Sequence, residues 1–123
     1  MRNETRNNKL MLDIIQYLQK RDLFDMVHLY VNDHHYSSDP TTDAITLHTN
    51  LGPYYDLGEC DVASILEYSN PDILSMTFDG PLYDEYNHYI SDATAEEDIC
   101  KLCEKYHCYP EQGYAWSLAV YEE

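Results

Sequence analysis

Apolar positions near the start of the chain recur at helical spacing. With Ile14 as reference, Leu10, Met11, Tyr17 and Leu18 fall within about a third of a helix circumference, which predicts an amphipathic helix. The period then shortens to two. MVHLYV (26–31) sets Val27, Leu29 and Val31 on one side, and AITLHT (44–49) does the same with Ile45 and Leu47, so both read as strands. The twelve residues between them, NDHHYSSDPTTD, read as a polar loop. NLGPYYDLG reads as a turn into a third, short strand at about 54–57. Asp61 is a candidate N-cap for a short helix holding Val62, Ile65 and Leu66, stopped by Ser69-Asn70-Pro71. ILSMTF (73–78) is the most regular strand, with Leu74, Met76 and Phe78 on one face. After Gly80-Pro81, the spacing of Leu82, Tyr86 and Ile90 predicts a helical turn. Thr94 and Glu97 have capping-box spacing for a helix over about 95–108, and GYAWSLAVY closes the pattern as a strand.

The pattern contains no internal repeat, linker or low-complexity run. A chain of 123 residues suits one domain with one core, so residues 1–123 are expected to form a single α+β domain. Its architecture should be a mostly antiparallel sheet of about four to five strands with helices on one face. With 44% hydrophobic residues and 13 tyrosines, the chain is too apolar for a disordered acidic tail. No run of about 18 apolar residues predicts a membrane span. The opening MRNETRNNKLMLDII is basic, but Asp13 and then Gln16 interrupt the apolar run a signal peptide needs, so the expected location is the cytoplasm.

Charge changes the picture. The formal net charge is −16, and five of the seven basic residues (Arg2, Arg6, Lys9, Lys20, Arg21) lie in the first 21 positions. From Asp22 to Cys100 there is no Lys or Arg, against 17 Asp or Glu. Solubility alone needs a net charge of only about 2 to 8 for a small domain. Such a surface repels nucleic acid and anionic membranes and attracts a strongly basic protein. The densest stretch is FDGPLYDEYNHY (78–89), which interleaves Asp79, Asp84 and Glu85 with Tyr83, Tyr86 and Tyr89. Asp79, Asp84 and Glu85 are candidate contacts to Lys or Arg of a partner, with Tyr83 and Tyr86 packed among them. Asp33, Asp39 and Asp43 of the first polar loop form a second acidic candidate.

Enzyme-like signals are weaker. CKLCEKYHC places Cys100, Cys103 and His107 on roughly one side of the last helix. A zinc site there would need a fourth ligand such as Cys60 or His88. Cys103 also falls beside Ile99, Leu102 and Tyr106 on the apolar face, where cysteine acts as a small buried hydrophobe. Asp33, His34, His35 and Asp39 could supply ligands from a loop, but adjacent histidines point apart on an extended chain. No nucleophile elbow, phosphate loop, zincin helix or dinucleotide fingerprint occurs. The residues therefore predict no catalytic group, metal or cofactor.

Carboxylates spread over a rigid fold can satisfy the cations of a groove built for a phosphate backbone, and tyrosines between them can stack on guanidinium groups. In size, charge and Asp/Glu/Tyr interleaving over about 22–100, the chain resembles the small acidic inhibitors of phages and mobile elements. These are the anti-CRISPR and anti-restriction proteins that mimic nucleic acid. The resemblance implies a stoichiometric inhibitor whose partner is a basic nucleic-acid-binding protein, a Cas9-type effector or a restriction enzyme, with no direct binding to DNA or RNA. Two other readings stay open: an immunity protein for a basic nuclease toxin, and a small metal or thiol enzyme using Cys100, Cys103 and His107.

Overall fold

Leu10, Met11, Ile14, Ile15 and Leu18 form a fully buried stripe along helix α1 (Glu4–Lys20) in the computed structural model, which describes residues 2–123. Asn3 caps the helix by accepting the Arg6 N–H. Seven strands follow: β1 (Val27–Val31), β2 (His34–Ser37), β3 (Ile45–Thr49), β4 (Gly52–Glu59), β5 (Leu74–Phe78), β6 (Cys108–Gln112) and β7 (Ser117–Glu122). Helices α2 (Gly80–Tyr86) and α3 (Ala95–Glu104) lie between β5 and β6. The strands make one antiparallel sheet in the order β3-β4-β2-β1-β5-β7-β6.

Alternation along the central strands separates the two faces. Val27, Leu29 and Val31 of β1 align with Leu74, Met76 and Phe78 of β5, and with Leu118 and Val120 of β7. This face joins the α1 stripe, Leu82 and Tyr86 of α2, and Ala95, Ile99 and Cys103 of α3 in one core. Burial of each large apolar side chain contributes roughly 1.5–3 kcal/mol before the entropy of ordering it. The opposite face carries His28, Tyr30, His35, Ser75, Thr77 and Ala119, and no α-helix covers it. The segment 60–73, with a 3-10 turn at Val62–Ser64, packs its residues up to Asn70 there instead, before Asp72 meets Asn7 of α1 and Ile73 enters the core. Asn70 pins it, donating its backbone N–H to Ser75 Oγ (2.8 Å) and its side-chain amide to the Val120 carbonyl (2.7 Å).

The α+β class and helices on one face agree with the sequence pattern, but the sheet has seven strands rather than four to five. The first extra strand, β2, falls inside the predicted polar loop. Asn32 and Asp33 both take left-handed φ (52° and 62°), closing a two-residue hairpin in which Val31 pairs directly with His34. The true loop is 38–44. The second, β6, is an edge strand with Pro110, a residue tolerated where its missing N–H faces solvent. It follows from the early end of α3 at Glu104 rather than 108, with His107 turned to φ 59°. Near residue 61 only a 3-10 turn forms, without a capping bond from the Asp61 side chain, and Ile65 is exposed. Thr94 occupies the N-cap of α3, but its hydroxyl donates to Asp98 Oδ2 instead of closing a capping box. Ile90 lies past the end of α2 and is exposed.

One arginine links the three helices. Arg21, just after α1, donates to both oxygens of Glu85 in α2 (2.7 and 2.9 Å). Its other terminal nitrogen reaches the Tyr17 hydroxyl (2.8 Å), Thr94 Oγ1 (3.2 Å) and Asp98 Oδ2 (3.5 Å). Tyr17 in turn donates to Asp98 (2.6 Å), which with the Thr94 hydroxyl and Arg21 lowers the Asp98 pKa. Glu85 is 3% exposed, so without Arg21 its carboxylate would be buried with no counter-charge. Arg21→Met should therefore cost about 3 kcal/mol, the low end for breaking a buried pair because Arg21 keeps some contact with water. Urea unfolding checks this, with the midpoint falling at unchanged slope. Cys103→Ser places a hydroxyl in the core and should cost about 1–3 kcal/mol by the same measurement.

Candidate functional site

Fourteen of the 17 carboxylates between Asp22 and Cys100 are exposed. Most cations of the chain are engaged within the fold. Arg2 pairs with Asp33 (2.9 Å), Arg6 with Glu122 (3.2 Å), Arg21 with Glu85, and Lys105 with Asp13 (3.0 Å). Among the described residues, Lys9, Lys20 and Lys101 have no acidic partner within salt-bridge distance. Of the exposed acids between Asp22 and Cys100, only Asp33 is paired with a Lys or Arg among the described residues.

The acidic-tyrosine stretch is split by the helix that it forms. Asp79 is the N-cap of α2 and accepts the Gly80 N–H (2.8 Å), and Asp84 points to solvent. Tyr83 is half-buried and stacks on the exposed Tyr89, with ring centroids 5.9 Å apart. The expectation that Glu85 and Tyr86 share this surface is corrected. Both turn inward, Glu85 to Arg21 and Tyr86 against Phe78 in the core. The period of α2 puts positions 82, 85 and 86 on the buried side, which a reading by composition overlooks. Asp33 sits in the β1–β2 turn, and Asp39 and Asp43 are exposed in the loop after β2.

Asp39 and Asp79, forty residues apart in sequence, meet across one open groove of about 460 Å³ on the helix-free face. His28, Tyr30 and Thr77 form its floor, on adjacent strands β1 and β5. Leu66 of the 60–73 segment and Trp116 form its walls. Trp116 is 43% exposed and stacks on Tyr114 (4.9 Å between centroids), which meets Tyr68 edge-on (5.1 Å). The Tyr114 hydroxyl is hydrogen-bonded to Glu67. A Cβ at Gly113 would lie 2.5 Å from the Tyr68 Cβ, so only glycine allows this aromatic packing. Asp33, Asp43, Tyr83 and Asp84 do not line the groove.

No family model, curated protein or solved structure matches the chain. Its chemistry rests on these side chains alone.

His28 Nδ1 and His35 Nε2 lie 2.9 Å apart, so one ring donates to the other, and the His35 ring stacks on Tyr30 (4.6 Å). Burial lowers both pKa values; nearby Asp39 opposes the shift at His28, and His28 adds to it at His35, where Asp56 opposes. His34 points to the other face and pairs with Asp56 (3.0 Å), so the adjacent histidines diverge as an extended chain requires.

Cys103 is wholly buried, and burial pushes its thiol up to about 12. The pKa values of Cys60, Cys100 and Cys108 are also raised, chiefly by burial. Raised thiol pKa values are the opposite of what an activated cysteine nucleophile needs. His107 lies beyond α3, so the expected alignment with Cys100 and Cys103 on one helix does not form. Among the described residues no group of three His, Cys, Asp or Glu is placed to hold a metal, and no helix is long and apolar enough to cross a membrane.

The groove residues His28, Tyr30 and Trp116 escape a reading by charge. The polar positions of MVHLYV and the single tryptophan in GYAWS were the available signals. The histidine pair also sets a pH dependence. A folded pKa below the ordinary 6.5 means that the unfolded chain binds the proton more readily. The associated stability is present above about pH 6.5 and declines as pH falls toward the lowered values. Melting temperatures of wild type and His35→Gln at pH 7.5 and 5.5 check this. The advantage of wild type over the variant should shrink at pH 5.5.

Proposed function

We propose that the protein is a stoichiometric inhibitor that occupies the nucleic-acid-binding surface of a bacterial defence enzyme, a Cas9-type effector before a restriction enzyme. The observation that carries this reading is the unneutralised acidic surface. The fold binds most of its cations internally and leaves fourteen of the 17 carboxylates between Asp22 and Cys100 facing solvent. Like charges at this density oppose compaction, so an external cationic surface is the natural counterpart. A guide-binding channel recognises backbone charge and shape rather than sequence, and spaced carboxylates on a rigid sheet can meet the same Lys and Arg. The side chains proposed to meet those cations are Asp39, Asp43, Asp79 and Asp84, with Tyr83 beside them. Glu85 is left out because it holds the helices together.

Capture of a guide-loaded Cas9-type effector from lysate by the immobilised protein tests the target, followed by a cleavage assay at increasing molar ratio. Cleavage should cease near one inhibitor per effector. Retention of a nuclease toxin in place of the effector would move the protein to the immunity class. Association should slow about tenfold between 0.02 and 0.3 M salt, because the steering field is screened within about 10 Å at 0.1 M. Joint reversal of Asp39, Asp43 and Asp84 to Lys should weaken inhibition by about a hundredfold or more, since like charges then face a basic groove. Undiminished inhibition by that variant would leave the acidic surface without a role in binding.

A further inference from the structure

The groove on the helix-free face differs from the rest of the acidic surface. Carboxylates line other grooves too, and the one of about 540 Å³ around Asp33, Glu59 and Asp61 is the most acidic, but no tyrosine or tryptophan lines it. On the helix-free face Asp39 and Asp79 flank a concave site walled by the exposed Trp116 and floored by Tyr30. Among the described residues the Asp39 carboxylate has no hydrogen bond or ion pair, and Asp79 uses only Oδ1, for the Gly80 N–H. The groove contains no Lys or Arg. Its nearest ionisable nitrogen belongs to His28, which is bonded to His35 and kept neutral by burial at pH 7.

We infer that this groove receives an arginine side chain of the partner protein, with the guanidinium against Trp116 and its N–H groups directed to Asp39 and Asp79. The inference rests on the inhibitor reading for the identity of the partner. An anion is disfavoured by the two carboxylates, and a plain apolar side chain would leave them desolvated without a counter-charge. A lysine ammonium could pair with either acid. A planar guanidinium can do so while stacking on the indole, and it sheds water more easily. Tyr114 covers one face of Trp116, and the remaining exposure is what an incoming guanidinium would use.

Trp116 is the only tryptophan, so it reports on its own groove. The probe is a capped Gly-Arg-Gly tripeptide, compared with otherwise identical lysine and citrulline tripeptides. Tryptophan emission and the amide shifts of residues 28, 30, 77 and 116 are followed during titration. The arginine peptide should give a saturable response at these positions, roughly fivefold tighter than lysine, with no saturation by the uncharged citrulline. Asp39→Asn combined with Asp79→Asn keeps the capping oxygen of α2 and removes both charges. It should weaken arginine binding about tenfold while leaving the melting temperature near that of wild type. Equal response to citrulline, or shifts confined to acids outside the groove, would overturn the inference. The same double variant is then assayed against the effector. Full inhibition by it would also overturn the inference while leaving the inhibitor reading standing. Arginine binding in the groove by a wild-type protein that captures no effector would support the groove and remove the inhibitor reading.

Discussion

A chain with a net charge of −16 folds only if its few cations are used where they bind distant segments together. Arg21 carries most of that burden. It holds the buried Glu85 of α2 and the Asp98 of α3 against α1, three helices whose approach carboxylate repulsion would otherwise resist. The other internal bridges also converge on the first segment. Arg2 reaches the β1–β2 turn, Arg6 reaches β7, and Lys105 at the end of α3 returns to Asp13. The basic cluster of the first 21 residues is therefore largely a structural clasp. Three of its five members are bound within the fold, leaving Lys9 and Lys20 on the surface.

Elements with a strong period were legible. The α1 stripe and the alternation in β1 and β5 follow from side-chain spacing, because each buries one face against the same core. What escaped was structure made by pairing rather than by hydrophobicity. HHYS has no apolar alternation, and it becomes a strand because a left-handed Asn32-Asp33 turn folds it back onto β1. CYPEQ likewise is ordered by β7, with a proline that argues against a strand in any position but an edge. For the site, composition located the acidic region but not the direction of its side chains. Glu85 and Asp84 are neighbours in sequence, and the turn of α2 sends one into the core and the other to solvent. Asp39 after β2 and Asp79 after β5 came together because β1 pairs with both strands, and the β1–β5 adjacency is one that no local pattern encodes.

The two faces of the sheet have different physical characters. One is sealed by three helices and determines stability. The other has small or polar side chains at its centre, Ser75, Thr77 and Ala119, and one irregular segment packed over part of it. That segment is held by hydrogen bonds, two from Asn70 and others at Cys60, Glu67 and Asp72, and by the Tyr68–Tyr114–Trp116 stack rather than by a hydrophobic stripe of its own. Polar and aromatic side chains can gather there without competing with the core for apolar ones.

The sheet edges bear on how the protein behaves in concentrated solution. β6 is guarded by Pro110 and Glu111, but β3 reads Ile-Thr-Leu-His-Thr, without proline, lysine or acid, and its Ile45 is 62% exposed. An unpaired strand of this kind is a template for pairing with a second copy. At neutral pH, mutual repulsion between molecules keeps such edges apart. Near the isoelectric point of about 4.4 expected from the sequence that barrier vanishes while the strand remains, so the exposed carboxylates also act as a colloidal barrier against edge-to-edge pairing.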